Sequence, residues 1–145
     1  EPRYEGTHHR IAGFVVDPAA LQERVPIWLG GRSERSLRRA LELADGWDPF
    51  RYGLEELAAL LPRAREWKAW RERETPFVVV LSPDRIFDLT EPEGAGEMTS
   101  LLGRYRAIGA TAMNLRFRSS SCDHYLDQLA VFAERVAPAF AAGSR

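Results

Sequence analysis

Cysteine is almost missing from this chain: Cys122 is the only one in 145 residues. No internal disulfide and no multi-cysteine metal site can be built from it, and a lone thiol suits a reducing cytoplasm. By itself it reads as a small buried or half-buried side chain. An excess of one charge is missing too, since 20 Lys plus Arg stand against 21 Asp plus Glu for a net charge of −1. Near-neutrality with dispersed arginines gives no electrostatic basis for binding nucleic acid or an anionic membrane surface. No apolar run reaches the length of a membrane span, and the opening Glu1-Pro2-Arg3-Tyr4-Glu5-Gly6 lacks the basic and apolar pattern of a signal peptide. The expectation is a cytoplasmic protein without nucleic-acid or membrane partners. A first residue that is Glu rather than Met is expected of a chain that begins inside a longer product or after processing. Chemistry is sparse as well: no Ser-His-acid order, no paired inward carboxylates and no metal-ligand cluster stands out. The adjacent His8 and His9 would point to opposite faces of a strand and do not readily chelate one metal.

What is present is apolar periodicity. At 45% hydrophobic content the chain can form one domain that buries roughly two-thirds of its unfolded surface. Residues 1–25, with Tyr4 and the run Phe14-Val15-Val16 set between Gly6, Gly13 and Pro18, read as an irregular excursion with a little extended structure. From Pro26 the pattern becomes regular. Ile27-Trp28-Leu29 is a short strand, Gly30-Gly31 a turn, and Ser33 the cap of a helix with Leu37, Ala40, Leu41 and Ala44 at steps of three and four. Gly46 is placed to stop that helix in a left-handed conformation, and Trp47 opens a second strand running toward Pro49. A second helix is expected from Leu54 to about Arg71, with Pro62 predicting a kink or break near Leu60-Leu61. Phe77-Val78-Val79-Val80-Leu81 is a strand of the kind buried on both faces. A loop over 82–96, rich in Pro, Asp and Glu, is long enough to be mobile or functional. Met98, Leu101, Leu102, Tyr105 and Ile108 then mark a third helix closed by Gly109, and Thr111 to Phe117 a fourth strand. A serine cluster caps the last helix, whose stripe is Leu126, Leu129, Ala130, Ala133, Val136 and Phe140, before a fraying tail.

Four strands each followed by a helix, at spacings too long for hairpins, predict an α/β fold of parallel strands with right-handed crossovers. Four βα units over 26–141 make either a small open sheet or half of a (β/α)8 barrel, which takes about 250 residues in full.

The stretch Pro26 to Trp47 is where ligand chemistry concentrates. A glycine pair between strand and helix lets backbone approach a ligand closely, and the first helical turn offers unpaired N–H groups with partial positive charge. Such a turn suits phosphate, with Arg32 adding a full charge. A bare glycine pair by itself is better explained as a tight strand-to-helix connection. Trp28, Trp47 and Phe117 can line a ring pocket or serve as plain core. Arg116 and Arg118, alternating with Phe117, can reach an anionic ligand at the strand end or pair with acids of the next helix. His124, near a helix start, reads as a surface residue.

Tyr4-Glu5-Gly6, Pro26-Ile27-Trp28-Leu29-Gly30-Gly31-Arg32-Ser33 and Ala44-Asp45-Gly46-Trp47 together resemble the luciferase-like monooxygenase family. Within it, the deazaflavin-dependent branch is the most similar. Leu81-Ser82-Pro83-Asp84-Arg85 and Asn114-Leu115-Arg116-Phe117-Arg118-Ser119 extend the resemblance over essentially the whole length. It implies a (β/α)8 barrel that binds FMN or a deazaflavin of the coenzyme F-420 type and carries out hydride transfer or oxygen insertion on a small organic substrate. It further implies that Gly30, Gly31, Arg32 and Ser33 hold the cofactor phosphate, with Ser36 joining them from the first helical turn. Only the C-terminal half of the family's barrel is covered, because the four strands that precede it have no counterpart before Ile27. This half is expected to be inactive alone, and its open edges to be covered by the missing half or by a second copy in a homodimer. The alternative is a non-catalytic half-barrel remnant or assembly module that dimerises without flavin.

Overall fold

The computed structural model describes residues 2–15 and 17–141. Val16 of the early apolar run, the expected fraying tail at 142–145 and the side chain of Phe140 lie outside what is described. Arg3–Glu5 (β1) and Arg10–Ala12 (β2) pair antiparallel, with His8 and His9 in the bend between them. After them come β3 (Trp28–Gly31), α1 (Glu34–Leu43), β4 (Gly46–Pro49), α2 (Leu54–Arg65), α3 (Lys68–Arg71), β5 (Val78–Leu81), α4 (Gly94–Ala107), β6 (Ala112–Met113) and α5 (Cys122–Val131). A π-helical turn over Phe132–Val136 leads into α6 (Ala137–Ala141). Strands β3, β4, β5 and β6 pair parallel in chain order, as the βα alternation predicts.

Register decides which side chains share a face. Leu29 pairs with Trp47, Trp47 with Val79, and Leu81 with Met113, so these side chains point together at the helices. There they join Leu37, Ala40 and Leu41 of α1, Leu57, Leu61 and Ala64 of α2, and Tyr105 of α4 in the main core. Each fully buried leucine there contributes about 1.5–3 kcal/mol. The opposite face carries Trp28, Gly30, Gly46, Asp48, Val78, Val80, Ala112 and Asn114, and neither apolar cluster recruits any of them. Gly46 and Val80 are closed off from solvent, but Trp28 is 49% exposed, and Gly30 and Asn114 are exposed. A parallel sheet is ordinarily covered on both faces, and the second face of this one is only partly shielded among the described residues. The chain exposes 10573 Å² at 16.4 kDa, whereas a compact monomer of that mass exposes about 7,500 Å².

Local chemistry explains the elements that differ from expectation. Gly46 does not stop α1 in a left-handed conformation; Ala44 ends that helix in an extended one, and Gly46 opens β4. It must be glycine because a Cβ would lie 2.7 Å from the Val78 carbonyl oxygen and 2.8 Å from the Trp28 indole. The α1 carbonyls of Leu41 and Ala44 are instead capped by the Arg73 guanidinium. Pro62 does not break α2, because it and Ala58, whose carbonyl it displaces, lie on the solvent side, where water can serve the freed oxygen. The break falls at Trp67, which turns extended and starts α3 while its ring stacks 3.7 Å under the Arg38 guanidinium.

The loop after β5 is anchored at two buried residues. Phe87 bridges Phe117, and Phe87 and Leu89 are buried with Ala95, Met98, Leu102 and Val136 in a second core. The fourth strand is correspondingly short: pairing covers Ala112–Met113, and Phe117 returns only as that bridge. Of the stripe expected for the last helix, Leu126, Leu129, Ala130 and Ala133 are turned outward and Val136 is buried among the described residues. What α5 buries instead is Gln128, whose Oε1 accepts from the Leu89 amide at 3.1 Å and whose Nε2 donates to the Arg118 carbonyl. Removing this side chain strands a buried amide and a buried carbonyl. Gln128→Ala is therefore expected to cost about 2 kcal/mol in urea unfolding, and a loss under about 0.5 kcal/mol would show that Gln128 is not the staple of these loops.

Candidate functional site

Parallel strands deliver all four following loops to one edge of the sheet, where open α/β sheets bind ligands. The loop after β3 is Arg32-Ser33. Ser33 caps α1 by accepting the Ser36 amide at 3.2 Å, and the Ser36 hydroxyl returns to the Ser33 amide at 3.4 Å. Among the described residues, the first-turn amides of Glu34 and Arg35 gain no partner from this capping. Gly31 has φ +154, and a Cβ on it would overlap the Ser36 Cβ and Oγ. A Cβ on Gly30 would meet only the Asp48 carbonyl oxygen, at 3.4 Å, so the space over Gly30 is open.

The loop after β4 lies alongside. The Phe50 amide donates to the Gly31 carbonyl at 3.2 Å, and Arg51 holds a left-handed backbone, φ 57, that a non-glycine residue rarely adopts. Tyr52 stands edge-on to Trp47, ring centroids 5.7 Å apart. Its hydroxyl is pushed up chiefly by burial and further by Glu56 and Glu34, while Arg32 acts in the other direction, which places Arg32 in its neighbourhood. A cavity of about 490 Å³ opens here, with Asp48, Phe50, Tyr52, Asp84, Asn114 and Arg116 in its lining. Arg116 donates to the Pro83 carbonyl at 3.3 Å. Arg24, Arg38, Arg63 and Arg85 pair with carboxylates, but Arg32, Arg51 and Arg116 form no ion pair among the described residues. Arg32 and Arg51 form neither an ion pair nor a side-chain hydrogen bond among the described residues.

The turn gathers Gly30, Gly31, Arg32 and Ser33 at one place. Ser36 stands just beneath: its hydroxyl is buried, accepts from Trp47 Nε1 at 3.1 Å and donates to the Ser33 carbonyl at 2.7 Å. Trp47 is fully buried core, Trp28 lies on the uncovered face over Gly46, and Phe117 packs edge-on against Tyr125 and Phe132. Asp45 is also structural, its carboxylate accepting the Ile27 amide at 2.8 Å and pairing with Arg24 at 2.6 Å. Cys122, read as buried or half-buried, is exposed in the first turn of α5.

Two features escaped the sequence reading. Asp48 is half-buried on the uncovered face, and burial pushes its carboxyl up. The signal was strand alternation past Trp47, which puts Asp48 on the same face as Gly30. His124 is not a plain surface residue: its Nε2 meets Asp88 Oδ1 at 3.3 Å and Thr90 Oγ1 at 3.2 Å, and its Nδ1 faces Ser120. It clasps the loop after β5 to the loop after β6. No local spacing could announce this, since 36 residues separate Asp88 from His124.

Among the described residues there is no group of three or more His, Cys, Asp or Glu side chains that could hold a metal ion, and no helix long and apolar enough to cross a membrane. A family model described as luciferase-like monooxygenase matches residues 1–133. No curated protein matches the chain.

The clasp makes a pH prediction. The Thr90 hydroxyl above all, with its amide and His124 adding, holds the Asp88 carboxyl below its ordinary 3.8. A lowered carboxyl stabilises the fold fully above that ordinary value, and the contribution is lost as pH falls through the lowered one. Asp88→Asn should lower the Tm at pH 7, and the difference from the parent should close below pH 3.8. A difference that persists unchanged in acid contradicts the assignment.

Proposed function

The chain belongs to the luciferase-like monooxygenase family, whose model spans residues 1–133, and from that premise we propose that it holds the phosphate end of a flavin-type cofactor on Gly30, Gly31, Arg32 and Ser33. The family is one of flavin-type oxidoreductases with a TIM-barrel fold. One observation carries the assignment to this loop: the turn after β3 combines open space over Gly30, unpartnered first-turn amides at Glu34 and Arg35, and an Arg32 without an ion pair. Oriented amides and a helix N-terminus stabilise an anion without reorganising, and a guanidinium adds a charge-assisted bond. Ser36 contributes by bracing Ser33 and Trp47, since its hydroxyl is already engaged on both sides.

FMN and a deazaflavin share the phosphate and the polyol next to it, so this loop serves either. When bound, such a cofactor supplies the hydride or oxygen chemistry itself. The chain's own residues anchor its anionic end, set its position against the C-terminal ends of β3 and β4, and exclude water from one side. We read the four βα units as the C-terminal half of the family's barrel. Its other half, or a second copy of this chain, then covers the face carrying Trp28, Gly30 and Asp48 and completes the site for a small organic substrate. This half alone is inactive on that reading, and the working protein is cytoplasmic.

A second reading, a non-catalytic half-barrel that assembles without cofactor, is favoured by Gly31: its contact with Ser36 demands glycine whether or not an anion binds.

Titration of the full-length protein with FMN and with riboflavin, which lacks the phosphate, separates the two. FMN is expected to bind at least about tenfold more tightly, and Arg32→Ala to weaken FMN by about tenfold, or about 1.4 kcal/mol, while leaving riboflavin unchanged. Equal affinities for the two ligands, or no binding of either, would overturn the phosphate assignment and leave the assembly module standing.

A further inference from the structure

Asp48 is a carboxylate that the fold gives nothing to do. Among the described residues its side chain has no hydrogen bond and no ion pair, although it is half-buried at mid-sheet. The other carboxylates tucked into this architecture are engaged, Asp45 by Ile27 and Arg24, Asp88 by Thr90 and His124. Half-burial without a partner disfavours the ionised form, so structure alone would select an apolar or amide side chain here.

Its neighbours define what could partner it. Gly30 is its direct register partner on β3 and has no side chain; on the other flank, one step beyond the Trp47–Val79 pair, is the buried Val80. Asp48 therefore sits one strand spacing, about 4.8 Å, from the residue that opens the proposed phosphate loop, on the face with free space over Gly30 and in the lining of the 490 Å³ cavity. A group lying against Gly30 meets a carboxylate on one side and the loop amides at its end. A carboxylate is an acceptor only, so the matching ligand atoms are donors, and in a phosphorylated polyol the hydroxyls begin on the carbon next to the phosphate-bearing CH2.

Building on the cofactor reading above, we propose that Asp48 is a specificity-determining residue that accepts hydrogen bonds from the hydroxyls of the polyol chain joining the cofactor's phosphate to its ring. Gly30 supplies the room for that chain, and Arg32 and the α1 amides take the phosphate beyond it. The arrangement selects ligands in which a hydroxylated chain adjoins the phosphate, and disfavours ring systems that lack it.

The test compares three ligands on full-length protein by flavin fluorescence: FMN, riboflavin, which keeps the polyol but not the phosphate, and lumiflavin, which has neither. Asp48→Asn is expected to weaken FMN and riboflavin alike, about tenfold each, a change of about 1.4 kcal/mol, and to leave lumiflavin within twofold of the parent. The variant's Tm at neutral pH should equal or exceed the parent's, because a half-buried unpartnered carboxylate has been removed, which separates lost recognition from lost folding. Tight FMN binding that Asp48→Asn leaves within twofold overturns this inference and keeps the phosphate assignment. Failure of the parent protein to bind FMN at all overturns both.

Discussion

A parallel sheet of apolar strands has two faces to keep from water, and this chain brings helices to one. Leu29, Trp47, Val79, Leu81 and Met113 meet α1, α2 and α4 in a core where Leu37, Leu61 and Ala64 are fully buried. The reverse face carries Trp28 at the N-terminal end and Gly30, Asp48 and Asn114 at the C-terminal end, with Val78, Val80 and Ala112 between them. At the C-terminal strand ends, Asp48 and Asn114 line a cavity rather than a core.

The two ends of the strands divide the labour. At the N-terminal end, Asp45 clamps the Ile27 amide and Arg24, and Gly46 makes room beneath the Trp28 indole. At the C-terminal end, the same strands finish in Gly30 and Asp48, followed by Arg32, Arg51 and Arg116 without ion pairs. Ser36 links the core to that edge. Its hydroxyl ties the buried Trp47 indole to the capping Ser33, so the core fixes the position of the turn after β3. A site mounted on packed elements in this way is held more firmly than one on a free loop.

The order of strands and helices could be read from the sequence because period and punctuation agree: Leu37, Ala40, Leu41 and Ala44 recur at helical steps, and Phe77 to Leu81 is a continuous run. The strand-helix turn at Gly30 to Ser33 was visible for the same reason. Tertiary context hid the rest. Pro62 is tolerated because its side of α2 faces water, which a helical pattern does not state. Leu126 and Leu129 look like core and point outward, while the buried residue of that helix is Gln128, recruited by backbone groups of two distant loops. Asp48 is significant only through the register that sets it beside Gly30, which the sequence does not state.

Central to the account is that the ligand lies against the C-terminal ends of β3 and β4. Hydrogen exchange of the full-length protein with and without saturating FMN measures this most directly. Slower exchange is expected at the amides of residues 32–35 and 50–52, with the hairpin at 3–12 and the outer helix at 122–131 unchanged. Protection confined to other segments, or none at saturation, would contradict the account.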